Sequence, residues 1–319
     1  MTGQRPFRFG TVVHNTSPSK SRFIEQARKA EQLGYSILLV PDHLGDQFAP
    51  ALGLAMAATA TSRIRLGTFV YDNDFRHPVV LAKEAATLDV LSNGRFEFGL
   101  GAGWMRSEYE QCGIAFDEPR VRIERMAEAL YIIKGLFAGG PLSFSGKYYT
   151  LTEMPGRPAP FQHPHPTILI GGSGKRMLSL AAREADIVGL SPRIQGDAVE
   201  SHMNDTLDIS DALSSAVTQK VEWIRQAAGV RFDDLELNAI VLDVQITNDR
   251  RQAAELLAHR YGVSSEQVLS TPHFLVGSVE QICEDLEKYR ERYTISYFVV
   301  WEEFMEAFAP VVEQLTGKV

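Results

Sequence analysis

The feature that most constrains the fold is an alternation of short apolar runs with longer amphipathic stretches along most of the chain. Three of these runs, ILLV at 37–40, TILI at 167–170 and YFVV at 297–300, are almost continuously apolar. Such runs are typical of parallel strands that are buried on both faces. The predicted strands are Phe7–Val13, Ser36–Pro41, Ile64–Val70, Arg95–Leu100, Thr167–Ile170, Asp186–Leu190, Leu237–Ile246 and Ser296–Val300.

Helical patterns occupy the segments between the strands. The first helix is bounded by Ser19 and Gly34, which are favoured residues at the two ends of a helix. His77 precedes Pro78 and is predicted to begin a helix rather than to act in catalysis. The predicted helices are Ser19–Leu33, Pro50–Ala60, Pro78–Leu91, Arg120–Phe137, Lys175–Glu184, Ala216–Ala228, Arg250–Tyr261, Ser278–Tyr293 and Glu303–Leu315.

A strand followed by a helix, repeated eight times, predicts an α/β fold of the (β/α)8 TIM barrel class with residues 1–319 in a single domain. A doubly wound open sheet is the alternative that the same alternation allows. Two segments interrupt the rhythm: 138–166 is rich in Gly, Pro and aromatic residues, and 191–217 is polar without a clear period. Both are predicted to be insertions in the connections, where a lid or an oligomer contact would lie.

Composition and charge exclude several classes of protein. The chain has 32 Lys and Arg against 40 Asp and Glu, a formal net charge of −8, which disfavours binding to nucleic acid. The apolar run at 51–60 is shorter than the roughly 18 residues of a membrane span, and no signal peptide pattern begins the chain. Cys112 and Cys283 lack metal-ligand spacing, and His163 and His165 alternate with prolines in a rigid segment. We therefore expect a cytoplasmic protein with a small-molecule substrate, no metal site and no membrane partner.

Polar and aromatic residues follow the predicted strands at their carboxyl ends, where barrels of this class bind substrates. His14 follows the first strand, Asp42 and His43 follow the second, and Trp301 follows the eighth. Histidine exchanges protons near neutral pH, so His43 and then His14 are candidate acid–base groups. Histidines that are only hydrogen-bonded within the protein are the alternative.

Two glycine-rich turns follow strands at the same end. In IGGSGKRM, the residues Gly171–Gly174 lie between a strand and a helix, with Lys175 next. Free N–H groups at the start of a helix suit a phosphate, although a simple tight turn explains the glycines equally well. The second turn, GLGAGW at 99–104, would let a flat ring lie against the backbone.

The segment LDVLSNGRFEFGLGAGWMRSEYE at 88–110 resembles the signature of the bacterial luciferase-like monooxygenase superfamily. The same pattern is found in IRLGTFV at 64–70 and LVPDH at 39–43, and further on in HPTILIGGSGKRMLSLAAREADIVGL at 165–190 and HFLVGSVEQICEDL at 273–286. The resemblance implies a (β/α)8 barrel, often dimeric, that binds a flavin or the deazaflavin coenzyme F420 at its rim.

The resemblance also assigns roles to individual residues. It implies a cis peptide bond between Thr68 and Phe69, behind the cofactor ring. It places Asp42 and His43 beside the ring, so we expect His43 to be the acid–base group, with Asp42 orienting or tuning it. The residues expected to bind the cofactor are Asp42, His43, Thr68, Phe69, Gly101, Ala102, Gly103, Trp104, Ser107, Gly171, Gly172, Ser173, Gly174 and Lys175.

Two further expectations concern the reaction. His14 and Glu108 are additional catalytic candidates at the rim. Flavin-using luciferases carry Cys-Arg where this chain has Gly101-Ala102, and the Arg holds the flavin phosphate, so the resemblance favours F420 over FMN. We therefore expect a homodimeric F420-dependent oxidoreductase that transfers a hydride to or from a small organic substrate. An FMN-dependent monooxygenase and a non-catalytic cofactor-binding barrel are the alternatives.

Overall fold

The computed structural model describes residues 5–14, 19–194 and 207–318. Its strands in chain order are β1 (Arg8–Val12), β2 (Ile37–Val40), β3 (Arg65–Thr68), β4 (Tyr71–Asp72), β5 (Phe96–Gly101), β6 (Pro141–Ser145), β7 (Thr150–Pro155), β8 (Thr167–Gly172), β9 (Ile187–Leu190), β10 (Glu236–Ile240), β11 (Asp243–Ile246), β12 (Phe274–Gly277) and β13 (Ile295–Trp301).

Eight of these strands form a closed parallel barrel. The order β3-β2-β1-β13-β10-β9-β8-β5 is closed by pairing of β5 with β3, and the short β4 extends the edge beside β5. The fold is therefore the predicted (β/α)8 TIM barrel, and the open-sheet alternative is wrong. The described helices are α1 (Lys20–Gln32), α2 (Pro50–Ala60), α3 (Pro78–Leu91), α4 (Arg106–Cys112), α5 (Pro119–Phe137), α6 (Lys175–Glu184), α7 (Ser214–Ala228), α8 (Arg250–Tyr261), α9 (Ser265–Leu269), α10 (Val279–Tyr293) and α11 (Met305–Leu315).

Alternate residues of each strand serve two separate cores. Phe9, Leu38 and Phe98 point outward and pack with the helices, whereas their neighbours point into the barrel. The apolar layer inside the barrel consists of Val12, Ile37, Leu39, Leu169, Ile187, Tyr297 and Val299, with Phe69, Val70 and Trp301 packed against it.

Charged side chains cover the amino end of the barrel. Arg8 donates to Glu236 Oε2 at 2.5 Å and also to Glu97, and Arg65 Nε donates to Glu97 Oε1 at 2.5 Å. The guanidinium of Arg8 also lies over the ring of Tyr297. An ion-pair network of Arg8, Arg65, Glu97 and Glu236 therefore closes the amino end of the barrel.

Two predicted strands differ from the structure. Leu237–Ile246 is not one strand, because the chain leaves the barrel after β10: Val241 N still bonds Val299 O, but Leu242 N bonds His273 O. The following residues form β11, which pairs with β12 outside the barrel. Ile64–Val70 is also shorter than predicted, since β3 ends at Thr68 and pairing resumes with β4.

The two predicted insertions also have structure of their own. Within 138–166, β6 and β7 form an antiparallel hairpin. The second insertion, 191–217, ends earlier than predicted because α7 already begins at Ser214. Its residues 195–206 lie outside the described residues.

Among the described ranges, no helix combines the length and apolarity that crossing a membrane would require. The two cysteines, Cys112 and Cys283, are free thiols.

Candidate functional site

The site at the carboxyl end of the barrel is organised around a histidine–carboxylate pair. His43 follows β2, and Glu108 lies in the first turn of α4, which follows β5. His43 Nδ1 is 3.1 Å from Glu108 Oε2, and Leu44 N donates to Glu108 Oε1 at 2.6 Å. Both oxygens of the buried Glu108 carboxylate are thus hydrogen-bonded to the segment His43–Leu44. These bonds give the imidazole a defined orientation.

Trp104 limits the other side of the imidazole. The rings of His43 and Trp104 are 5.4 Å apart between centroids and meet edge to face at 85°. With Nδ1 bonded to Glu108, the nitrogen left for proton exchange with a bound molecule is Nε2. Ser107, another residue expected at the site, lies beside Glu108 in the first turn of α4.

Asp42 does not orient His43, contrary to the expectation. Its carboxylate accepts two hydrogen bonds from Arg76, at 2.5 and 2.9 Å, and a third from the backbone N of Asp72 at 3.0 Å. These three bonds satisfy the buried carboxylate and hold it against the segment after β4. Asp42 therefore braces the rim, and Glu108 is the carboxylate that contacts His43.

The connection after β3 contains the expected cis peptide, but one residue later than predicted. The bond is Phe69–Val70, not Thr68–Phe69. Phe69 N donates to Val40 O at 2.9 Å, so strand pairing continues through the peptide between Thr68 and Phe69. The peptide bond between Phe69 and Val70 is the first one beyond the hydrogen bonds between β2 and β3.

Glycines of β5 make room for this connection. A Cβ on Gly99 would lie 2.0 Å from Thr68 O, and a Cβ on Gly101 would lie 2.7 Å from Val70 Cγ2. The hydroxyl of Thr68 also bonds both backbone groups of Gly99, at 2.8 and 3.0 Å. The glycines at these positions are thus needed for the close packing of β5 on the segment with the cis bond.

The loop from Ala102 to Trp104 is held from behind. Arg122 Nη1 donates to Ala102 O at 3.1 Å and to Gly103 O at 2.5 Å. Gly103 has φ +74°, and a Cβ there would lie 1.8 Å from the hydroxyl of Tyr109. The path of this loop therefore depends on a glycine at 103.

The second glycine turn leads into α6. Gly174 is the N-cap of α6 and makes no side-chain capping bond. A Cβ on Gly171 would be 3.8 Å from its nearest neighbour, and a Cβ on Gly174 would meet nothing within 4 Å. Gly172 and Ser173 lie half-buried between them, and Lys175 is exposed at the start of the helix. Open backbone at an uncapped helix N-terminus suits an anion such as a phosphate.

His14 lies at the end of β1, between the ends of β2 and β13 in the strand order. Its ring is 5.2 Å from that of Trp301, edge to face at 76°. His14 is thus at the same barrel mouth as His43.

Comparison with known proteins gives the family. A sequence model of the family described as luciferase-like monooxygenase matches residues 5–207. The chain belongs to the luciferase-like monooxygenase family.

Several relatives of this luciferase-like chain carry names that include a cofactor. F420-dependent glucose-6-phosphate dehydrogenase of Nakamurella multipartita is 30% identical over 263 residues, which cover 78% of this chain and 71% of that protein. F420-dependent hydroxymycolic acid dehydrogenase of Mycobacterium tuberculosis is 32% identical over 185 residues, covering 56% of this chain and 51% of that protein. The luciferase-like chain thus spans about half the length of the second relative.

A solved structure supports the fold. Coenzyme F420-dependent tetrahydromethanopterin reductase from Methanopyrus kandleri superposes with a TM-score of 0.76 and 19% identity, over 98% of this chain and 100% of that one. At this identity the likeness establishes the barrel fold alone.

A buried acidic network behind the site was not predicted from the sequence. In the luciferase-like barrel, Tyr109 OH donates to Asp72 at 2.8 Å and lies 3.2 Å from Asp74 Oδ2. Arg125 forms two hydrogen bonds to Asp74, at 2.7 and 2.8 Å. Burial raises the pKa of Asp72 to about 7, and the negative charges of Asp74 and Asp42 act in the same direction. The only signal in the sequence was the polar run after the third strand, which does not reveal its partners.

Within residues 5–14, 19–194 and 207–318 of the luciferase-like chain, no group of three or more His, Cys, Asp and Glu side chains is arranged to hold a metal ion. His77 is the N-cap of α3, and its Nδ1 accepts from Val79 N at 3.3 Å, as predicted for a helix start.

Proposed function

We propose that the chain is an F420-dependent oxidoreductase that transfers a hydride between the deazaflavin and a small organic substrate. The observation that carries the proposal is the contact between His43 and Glu108 at the barrel mouth. A substrate alcohol that gives up a hydride from carbon must also lose its hydroxyl proton, and the reverse reaction must return that proton. The names of two relatives, both F420-dependent dehydrogenases, support the same class of reaction.

His43 is the group suited to that proton. An ionised Glu108 only accepts hydrogen bonds, so it selects the tautomer in which His43 Nδ1 carries the hydrogen. His43 Nε2 is then a lone-pair acceptor that takes the substrate proton and returns it in the opposite direction. Glu108 stabilises the positive imidazolium that results. Asp42 contributes by holding the rim through Arg76.

The residues at the mouth fit the coenzyme in two places. The open backbone at Gly171 and Gly174 fits a phosphate, with Lys175 adding a positive charge nearby. The flat ring fits beside the cis-bond segment and the loop after β5. When bound there, F420 supplies the carbon that accepts or releases the hydride. The residues we assign to the ring are Thr68, Phe69, Gly101, Ala102, Gly103, Trp104 and Ser107.

The pair Gly101-Ala102 favours F420 over FMN. Because residue 102 is alanine, it offers no cationic side chain to a flavin phosphate. Ala102 is buried, and its carbonyl accepts a hydrogen bond from Arg122. The family is described as luciferase-like monooxygenase and one relative is named as FMNH(2)-dependent, so FMN-dependent monooxygenation is the second candidate. A barrel that binds the coenzyme without turnover is the third.

Fluorescence titration of the purified protein with oxidised F420 and with FMN tests the choice. We expect binding of F420 in the micromolar range and much weaker binding of FMN. A screen of alcohols and carbonyl compounds with the matching redox form of F420 should then yield turnover. Preference for FMN with uptake of oxygen would support the second candidate, and tight F420 binding without exchange on any compound would support the third.

We also propose a homodimer formed through α2 and α3. Leu52 on α2 is 74% exposed, and Val80 and Leu91 on α3 are 50% and 59% exposed. Both helices also bury apolar residues on the opposite side, which leaves them apolar around most of their circumference. The free thiols of Cys112 and Cys283 fit a reducing compartment such as the cytoplasm.

A further inference from the structure

Two polar atoms at the barrel mouth lack a hydrogen-bond partner among the described residues. His14 Nδ1 and Glu302 Oε2 are both shielded from solvent, and neither makes a hydrogen bond to the part of the chain that the structure describes. Leaving a shielded acceptor or donor unpaired is costly, so such atoms often serve a ligand.

The sheet register brings these two residues together. β1 and β13 are neighbours, with Val12 opposite Trp301, so His14 lies two residues after one paired strand end and Glu302 directly after the other. The ring of Trp301 lies edge to face against His14, at 5.2 Å. The three residues therefore lie at the neighbouring ends of β1 and β13, and we call them the β1–β13 wall: His14, Trp301 and Glu302.

Electrostatics gives this wall a definite preference. Burial raises the pKa of the Glu302 carboxyl, whereas the positive charges of His14 and Arg22 act against that rise and Glu303 adds to it. A donor group that reaches Oε2 would satisfy a carboxylate which the protein leaves partly unpaired. An anionic oxygen at the same place has no hydrogen to donate and would leave Oε2 unpaired.

The wall is connected to the proposed ring site. Trp301 packs against the apolar layer inside the barrel together with Phe69 and Val70, the two residues joined by the cis bond. A molecule on the ring side of that bond would therefore be within reach of the wall as well as of His43.

We propose that the β1–β13 wall recognises the substrate, and that it selects a hydroxyl- or amine-bearing substrate over an anionic one. The proposal rests on the oxidoreductase function proposed above and names its substrate class. Glu302 Oε2 accepts a hydrogen bond from the hydroxyl or amine of the substrate, and His14 forms a second hydrogen bond to it. Trp301 covers the hydrocarbon part of the substrate.

The two carboxylates at the mouth thus have different roles. Glu108 has both oxygens bonded to His43 and Leu44, and it acts only through the imidazole. Within the described residues Glu302 Oε2 makes no such bond, so it is the carboxylate oxygen that we assign to direct contact with the substrate.

The test uses three probes with the same ring: cyclohexanol, cyclohexylamine and cyclohexanecarboxylate. Ligand-detected NMR titration measures their binding to the full chain, with and without F420. We expect the alcohol and the amine to bind the wild type more tightly than the carboxylate. In Glu302→Gln, binding of the amine should weaken about tenfold, the cost of losing a charge-assisted hydrogen bond. The matched control Glu303→Gln changes an exposed neighbouring carboxylate and should leave all three affinities unchanged.

Three results would overturn the proposal: the carboxylate binding as tightly as the amine to the wild type, the order of affinities surviving Glu302→Gln, or Glu303→Gln producing the same loss. The first of these needs no variant and decides the matter if a variant fails to fold. Failure of the proposed function is seen separately, as a wild type that does not bind F420. The probes can still be titrated against that cofactor-free protein.

Discussion

Glu108 binds His43 Nδ1 with one carboxylate oxygen and the backbone N of Leu44 with the other. One buried carboxylate thus fixes both the imidazole and the backbone that carries it. The two residues are 65 positions apart in the chain and meet only because β2 and the loop after β5 end at the same mouth.

We expect His43→Ala to lower kcat by about 10²–10⁴-fold, because the substrate proton loses its acceptor. Glu108→Gln should lower kcat about tenfold or more, since its amide can still accept from Leu44 but no longer stabilises a positive imidazole. Steady-state kinetics on a substrate found by screening, with parallel F420 titrations, measures both. The affinity for F420 should change little.

Glu110→Gln is the matched control for Glu108, because Glu110 is exposed on the same helix. If kcat of Glu108→Gln equals that of the control, the His43–Glu108 pair has no part in the chemistry.

Gly103→Ala should destabilise the fold by about 2–5 kcal/mol. It combines a left-handed backbone, φ +74°, with a Cβ that would lie 1.8 Å from the Tyr109 hydroxyl. Gly113→Ala has a similar φ of +71° but open space around it, so it should cost only about 1 kcal/mol. Urea unfolding of both variants separates the steric effect from the backbone effect, and equal losses would mean that the loop moves away from Tyr109.

The regular part of the fold was predictable from the sequence because its signals are local. Pro50–Ala60 and Pro78–Leu91 were predicted with their observed bounds, since proline at the first helical position marks where each begins. Leu237–Ile246 was predicted as one strand because both halves are apolar. Its division depends on two different pairing partners that no local pattern reveals.

The candidate site divides in the same way. His43 and the glycines of 171–174 could be located from their positions after strands. Glu108 was among the catalytic candidates, but its contact with His43 could not be predicted, because Asp42 is adjacent to His43 in sequence whereas Glu108 is adjacent only in space. Arg76, which donates two hydrogen bonds to the Asp42 carboxylate, gave no signal in the sequence.

Gly171→Ala should weaken F420 binding about tenfold while leaving the melting temperature unchanged. The added methyl has room in the protein, since its nearest neighbour would be 3.8 Å away, but it occupies the space through which a phosphate approaches the backbone. Gly140→Ala is the control, because its Cβ would also meet nothing within 4 Å. Unchanged F420 affinity in Gly171→Ala would place the phosphate elsewhere.

Leu52→Glu should convert the proposed dimer into a monomer, because it places a charge on the exposed apolar surface of α2. Light scattering after size exclusion measures the mass directly. Leu256→Glu is the control: Leu256 is 67% exposed on α8, outside the proposed interface. A wild type that is already monomeric, or a dimer that survives Leu52→Glu, would reject this interface.

The buried carboxyl of Asp72 should make the stability of the fold depend on pH. Burial raises its pKa to about 7, above the ordinary aspartate value of 3.8 that applies when the chain is unfolded. Between these two values the folded state holds a proton that the unfolded state has released. Stability contributed by this group is therefore present at low pH and is lost as the pH rises toward about 7, with a slope of at most about 1.4 kcal/mol per pH unit.

Asp72→Asn removes the titration and keeps an oxygen for the bond from Asp74 N, which is 2.9 Å long in the wild type. The free energy of unfolding of this variant, relative to the wild type, should therefore increase as the pH is raised from about 4 to about 7. Urea unfolding across that range measures the difference, and Asp46→Asn, at an exposed aspartate, should show no such trend. A difference that is constant with pH would mean that Asp72 is already ionised in the folded barrel at the low end of the range, with Tyr109 donating to a carboxylate throughout.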